Sequence, residues 1–129
     1  MAIATSTDVP YATTVKADGF EFVADSEREG IGGSAGMRPH DLLDASLAAC
    51  IAITVRMAAD VRGTKLDHVV AEVTHNDDDP LAASFECQLT LVGDLSDKER
   101  AGLVRVAHHC PIGKLLGKPI EIGISEASA

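Results

Sequence analysis

The chain is short of positive charge. It carries 11 Lys and Arg against 20 Asp and Glu, a net charge of −9. Nucleic acid and anionic membrane surfaces are polyanions, so neither is expected as a partner. The acidity reads simply as a solubility device. Cysteine is scarce too, at 3 residues, and an odd number argues against a static disulfide framework. The opening MAIATSTDVP has no basic region and no long apolar run, so it does not read as a signal peptide, and a cytoplasmic, reducing location is expected. The most apolar stretch, LAACIAITV, stops at Arg56 and is too short to cross a bilayer. Missing motifs exclude further classes. No Cys-x-x-Cys or His-x-x-x-His pattern supports zinc. No nucleophile elbow supports a serine or cysteine hydrolase. GIGGSAG lacks the Lys-Ser/Thr of a phosphate-binding P-loop and follows acidic residues, so it reads as a flexible loop.

What is present is enough for one domain. The 129 residues are 46% hydrophobic, ample for a core. Tyr11–Ala17 and Phe20–Val23 flank Asp18-Gly19, a strong hairpin signal. Residues 25–39 hold glycines without periodicity and read as a surface loop. A first helix is expected from about His40 to Asp60, with Pro39 suiting its first turn, Asp41 and Asp44 near its N-terminus, and Gly63 just past its end. It is apolar on nearly every side and so must be buried on nearly every side, which a domain this small achieves most simply as a homodimer with this helix at its centre. Leu66–His75 and Ser84–Val92 read as strands. Ser96 and Glu99 form the S-x-x-E box that opens a second helix, which Pro111 stops. Ile120–Ile124 reads as a short closing strand. Segregated hairpins and helices argue α+β with mostly antiparallel sheets.

Two cysteines stand apart from the third. Cys50 lies inside the first helix, and Cys110 ends the apolar stripe of the second in HHCPIGK. If they meet, they form a dithiol that reacts rather than staples. Cys87 alternates with Phe85, Leu89 and Leu91 on one strand face and reads as a small core residue. On a helical wheel Cys50 shares its face with Ser46, Thr54, Leu43, Leu47, Ile53 and Met57. Apolar burial alone makes a thiol inert, so a reactive Cys50 needs help from elsewhere, and a packed small residue remains the other reading. Arg56 points about 120° away on the same helix. Arg38, Lys16 or Arg28 could supply a cation only through the fold or a dimer mate. His108, His109 and Cys110 are adjacent and point about 100° apart, so they cannot chelate one ion as they stand. Either histidine could polarise Cys110.

PHDLLDASLAAC resembles the signature of the OsmC/Ohr family, in which a Pro, an acidic residue and a Leu pair lead into small residues and a Cys. LSDKERAGLVRVAHHCPIGKLL resembles the family's second helix, which ends in Cys-Pro with a basic residue beyond. GGSAG and IEIGIS also fit, and the resemblance runs over roughly residues 11–125 of one OsmC-like domain spanning 1–129. It implies an intertwined α+β homodimer wrapped around two long central helices. It implies a cysteine-based thiol peroxidase for organic hydroperoxides, with Cys50 peroxidatic and Cys110 resolving. An external dithiol or lipoylated protein would be the reductant, and no metal, haem or flavin is needed. Family peroxidases carry a Glu ten residues before the reactive Cys and an Arg near the N-terminal strands. Here His40 stands at the first position and Asp41 is the nearest carboxylate, while Lys16 and Arg28 are the cations nearest the second. The His-Asp pair is similar to a stand-alone OsmC-like branch, so Asp41 joins the candidate site residues. The alternative is a non-peroxidase that binds a ligand or senses redox state.

Overall fold

A computed structural model describes residues 1–128, and its order of elements is mixed α+β. The chain divides into two compact units, one spanning Met1–Ala45 and one beginning at Ser46.

The N-terminal unit holds β1 (Ala2–Ser6), β2 (Thr13–Ala17) and β3 (Phe20–Ala24), an antiparallel sheet in the order β1-β2-β3. The β2–β3 hairpin turns at Asp18-Gly19, whose φ angles of 47° and 80° are the two positive values that a type I′ turn demands. β1 is not legible in the sequence, because its residues are exposed throughout and show no alternation between faces. The glycine-rich loop is more ordered than its composition suggests. It contains the short hairpin β4 (Glu27–Arg28) and β5 (Ile31–Gly32), and it is tied back in two ways. The Asp25 carboxylate, only 3% exposed, accepts hydrogen bonds from the amides of Ser26 at 2.8 Å and Ala35 at 3.0 Å. These amides hold its carboxyl below the usual carboxylate range, the Ala35 bond foremost, against the opposing effect of burial. The Asp25 amide in turn donates to the Met37 carbonyl at 3.0 Å. Gly36 permits this approach, since a Cβ there would collide with the Val23 carbonyl.

α1 runs from Pro39 to Arg62, starting on the predicted proline. Gly63 and Thr64 close it, donating to the carbonyls of Asp60 and Ala59 at 3.3 and 2.9 Å. Over its full length α1 is apolar and long enough to cross a membrane, more than the run ending at Arg56 suggests. It is nevertheless a core helix, because Leu47, Ile51, Val55 and Ala59 recur every four residues and are buried.

In the C-terminal unit, β6 (Leu66–Asn76) and β7 (Ser84–Gly93) form a long antiparallel hairpin, close to the predicted bounds. Val69, Ala71 and Val73 of β6 and Phe85, Leu89 and Leu91 of β7 pack against the buried cluster to which the α1 stripe belongs. α2 (Asp97–Ala107) opens with the expected box: the Glu99 amide donates to Ser96 Oγ at 3.1 Å and the Ser96 amide to Glu99 Oε1 at 3.0 Å. Leu103 of α2, 1% exposed, completes the core. Each such aliphatic side chain contributes about 1.5–3 kcal/mol by leaving water.

Two expectations change. α2 ends at Ala107, and Pro111 opens a helix rather than stopping one: α3 spans Pro111–Leu116 with Cys110 as its N-cap. Proline fits the first helical position because its missing N–H has no partner there anyway. Within a single chain α1 leaves Leu43, Ile53, Met57 and Val61 exposed. Ile120–Ile124 forms no strand, and Ile120, Ile122 and Ile124 are exposed. A strand needs a hydrogen-bonding edge, and among the described residues nothing pairs with this segment.

Candidate functional site

Cys50 and Cys110 meet. Cys50 lies on α1 directly before the buried Ile51 and is itself half-buried, whereas Cys110 is 1% exposed. What joins the two cysteines is the first turn of α3. The Ile112 amide donates to Cys50 Sγ at 3.4 Å, and the Gly113 amide donates to Cys110 Sγ at 3.3 Å. The donors at both sulfurs are therefore main-chain groups of one short helix that begins at Pro111. Gly113 allows the close approach, since a Cβ there would sit 3.0 Å from Cys110 Sγ.

Burial pushes the Cys110 thiol above its ordinary 9.0. The Gly113 amide works against that rise, while negative charge on Cys50 and a hydrogen bond with it add to the rise. Cys110 is thus held as the neutral thiol at neutral pH. A neutral thiol beside a second sulfur can donate to it and can later attack it once that sulfur is electrophilic.

The other candidates fall elsewhere. Asp41 is exposed in the first turn of α1, nine residues before Cys50. At helical rise that separation is about 14 Å along the axis. Arg56 is engaged with the Leu66 carbonyl at 2.6 Å and with Asp60 at 2.7 Å, in keeping with its position on the wheel. Lys16 pairs with Glu21 at 3.3 Å across the β2–β3 hairpin. His108 caps α2 and is exposed, as is His109. Cys87 departs from expectation: it lies on the face of β7 that carries Leu89, yet it is exposed rather than part of the core.

Sequence reasoning misses the amides of Ile112 and Gly113. The available signal is Cys-Pro followed by Ile-Gly. A proline one residue after a cysteine suits a helix start as well as a helix stop, and a helix start presents free amides to the residue before it.

A family model for OsmC-like protein matches residues 32–125. Among curated proteins none matches by sequence. Solved structures do match in fold. An OsmC-like protein from Mycoplasma pneumoniae is 19% identical, with a TM-score of 0.77 over 90% of this chain and 85% of that one. An organic hydroperoxide resistance protein from Elizabethkingia anophelis is 23% identical, with a TM-score of 0.66 over 93% and 89%. The organic hydroperoxide resistance protein OhrB of Bacillus subtilis is 24% identical, with a TM-score of 0.56 over 91% and 89%.

Proposed function

The chain belongs to the OsmC-like protein family, and on that premise we propose that it is a cysteine-based thiol peroxidase that reduces organic hydroperoxides. The observation that carries this reading is the convergence of the Cys50 and Cys110 sulfurs on adjacent amides of α3. Cys50, the less buried of the two, is the peroxidatic sulfur. Its thiolate attacks one peroxide oxygen, the O–O bond breaks, and the alkoxide leaves as an alcohol after taking a proton. Cys50 becomes a sulfenic acid. Cys110 gives up its proton and attacks the Cys50 sulfur, water leaves, and a disulfide forms. An external dithiol, such as a lipoylated protein, reduces it by exchange. Asp41, at the start of the same helix, has at most an indirect role in orienting the site. The cycle needs reduced thiols between turnovers, which fits a cytoplasmic setting.

The working unit in this reading is a homodimer. Ile53 at 54%, Met57 at 63% and Val61 at 88% exposure leave a second apolar face on α1, and a second copy would cover it.

The test is a thiol count. Reduced protein is mixed with one equivalent of cumene hydroperoxide. Loss of two thiols per chain, abolished in Cys50→Ser, is the expected result. Thiols that stay unchanged over minutes would overturn the reading in favour of a binding or sensing protein.

A further inference from the structure

We infer that a cleft between the C-terminal end of α1 and one face of α2 binds a small phosphate dianion, free or as a monoester. The cleft, about 260 Å³, is lined by Arg62, Thr64, Lys98, Glu99, Gly102 and Arg105. All six belong to the C-terminal unit. Arg62 lies twelve residues beyond Cys50 on α1. That is about 18 Å along the axis, so the cleft is separate from the sulfur pair and does not depend on the peroxidase reading.

The shape of the cleft follows from the sequence of α2. Lys98, Gly102 and Arg105 are spaced i, i+4 and i+7 and share one face of the helix. The middle position leaves a hollow. Gly102 is buried, and a Cβ there would lie 3.2 Å from Arg62 Nη1 and 3.7 Å from Arg105 Nη2. Two guanidinium groups from different helices thus reach over the same bare stretch of backbone. Glycine is second only to proline as an unfavourable residue inside a helix, and a plain solvated face would gain from alanine.

The charges in the cleft are uncompensated. Elsewhere Lys16 pairs with Glu21, Arg56 pairs with Asp60, and Arg100 donates to the Leu91 carbonyl. Among the described residues no carboxylate pairs with Arg62, Lys98 or Arg105. Glu99, the one acid in the cleft, accepts from the Ser96 amide at 3.0 Å as part of the α2 cap. Three cations against one carboxylate leave the cleft positive on a chain of net charge −9. Like charges held close repel, and a dianion between them removes that repulsion. Guanidinium forks match phosphate oxygens, and a tetrahedral dianion can take donors from Arg62 on one side and from Lys98 and Arg105 on the other. A single carboxylate offers less charge and fewer oxygens. The volume suits one phosphate group with a short ester, and the acidity of the whole chain opposes a longer polyanion.

The experiment is a calorimetric titration of the whole chain at about pH 8, where phosphate is mostly the dianion. Inorganic phosphate, glycerol phosphate and acetate are the probes, at constant ionic strength. Saturable one-to-one binding of phosphate is expected, weakened about tenfold or more in Arg62→Gln and in Arg105→Gln. Tighter binding of glycerol phosphate supports a monoester as the ligand, and equal or tighter binding of inorganic phosphate supports the free ion. In Gly102→Ala the methyl fills the hollow, so binding should fall by a similar factor while the thermal midpoint without phosphate holds or rises. No saturation with either phosphate up to about 20 mM would overturn the site. So would acetate binding as tightly as phosphate, or unchanged affinity in both arginine variants.

Discussion

Residues 1–45 bury the side chains of Ala12, Ala24 and Asp25, whereas residues 46–128 bury Leu47, Ile51, Val55, Ala59, Leu66, Leu103 and Cys110. The first region is held by strand pairing, tight turns and a carboxylate that collects amides. The second is held by a packed aliphatic core with a sulfur pair at its margin. Phe20 and Phe22, large residues that could have built a core in the first region, are exposed. Hydrogen bonds contribute little net stability each, since water competes for the same groups, whereas apolar burial accumulates with area. The lesson is that the proposed chemistry sits where packing holds two sulfurs together.

A pair of truncations tests this contrast hardest. Leu103→Ala should cost about 2–5 kcal/mol in urea unfolding, while Phe20→Ala should change stability by less than about 0.5 kcal/mol. Equal losses would show that the N-terminal region hides a packed face in solution. Ile53→Glu addresses the remaining apolar face of α1. The wild type should sediment at twice the 13.5 kDa chain mass and the variant as a single chain. A wild type that sediments at the single-chain mass would remove the dimer from the proposal.

The two regions should also fail at opposite ends of the pH scale. The carboxyl of Asp25 is held below its usual 3.8, so its contribution is complete above that value and lost as pH falls through the lowered pKa. The Cys110 thiol is held above 9.0, so its contribution is complete below that value and lost as pH rises through the raised pKa. Stability profiles should flatten on the acid side in Asp25→Asn and on the alkaline side in Cys110→Ala. The smallest effect is expected at the α2 cap, where Ser96→Ala should cost about 1 kcal/mol in thermal or urea unfolding.

Much of the architecture is legible in the order of the amino acids. Asp18-Gly19 names its turn because few residues tolerate two positive φ angles. Pro39, Gly63 and the Ser96–Glu99 box mark helix ends through local chemistry. The alternation in β7 predicts a strand, but not that Cys87 is open to solvent, because exposure depends on what packs opposite. Pro111 is ambiguous for a similar reason: a proline ends one helix and begins another with equal ease, and only the path of the chain after it decides. The glycine-rich loop hides its order, since Asp25 finds Ala35 ten residues away.

Amino-acid order alone settles the class of fold, the ends of α1, β6 and β7 to within a few residues, and the family, because periodicity, caps and motif spacing are written along the chain. The folded chain, and nothing short of it, brings Cys50 and Cys110 to the first turn of α3 and keeps the Cys110 sulfur neutral. The first depends on Cys50 and Ile112, 62 positions apart, coming within 3.4 Å, and the second on burial of Cys110, and no local pattern encodes either.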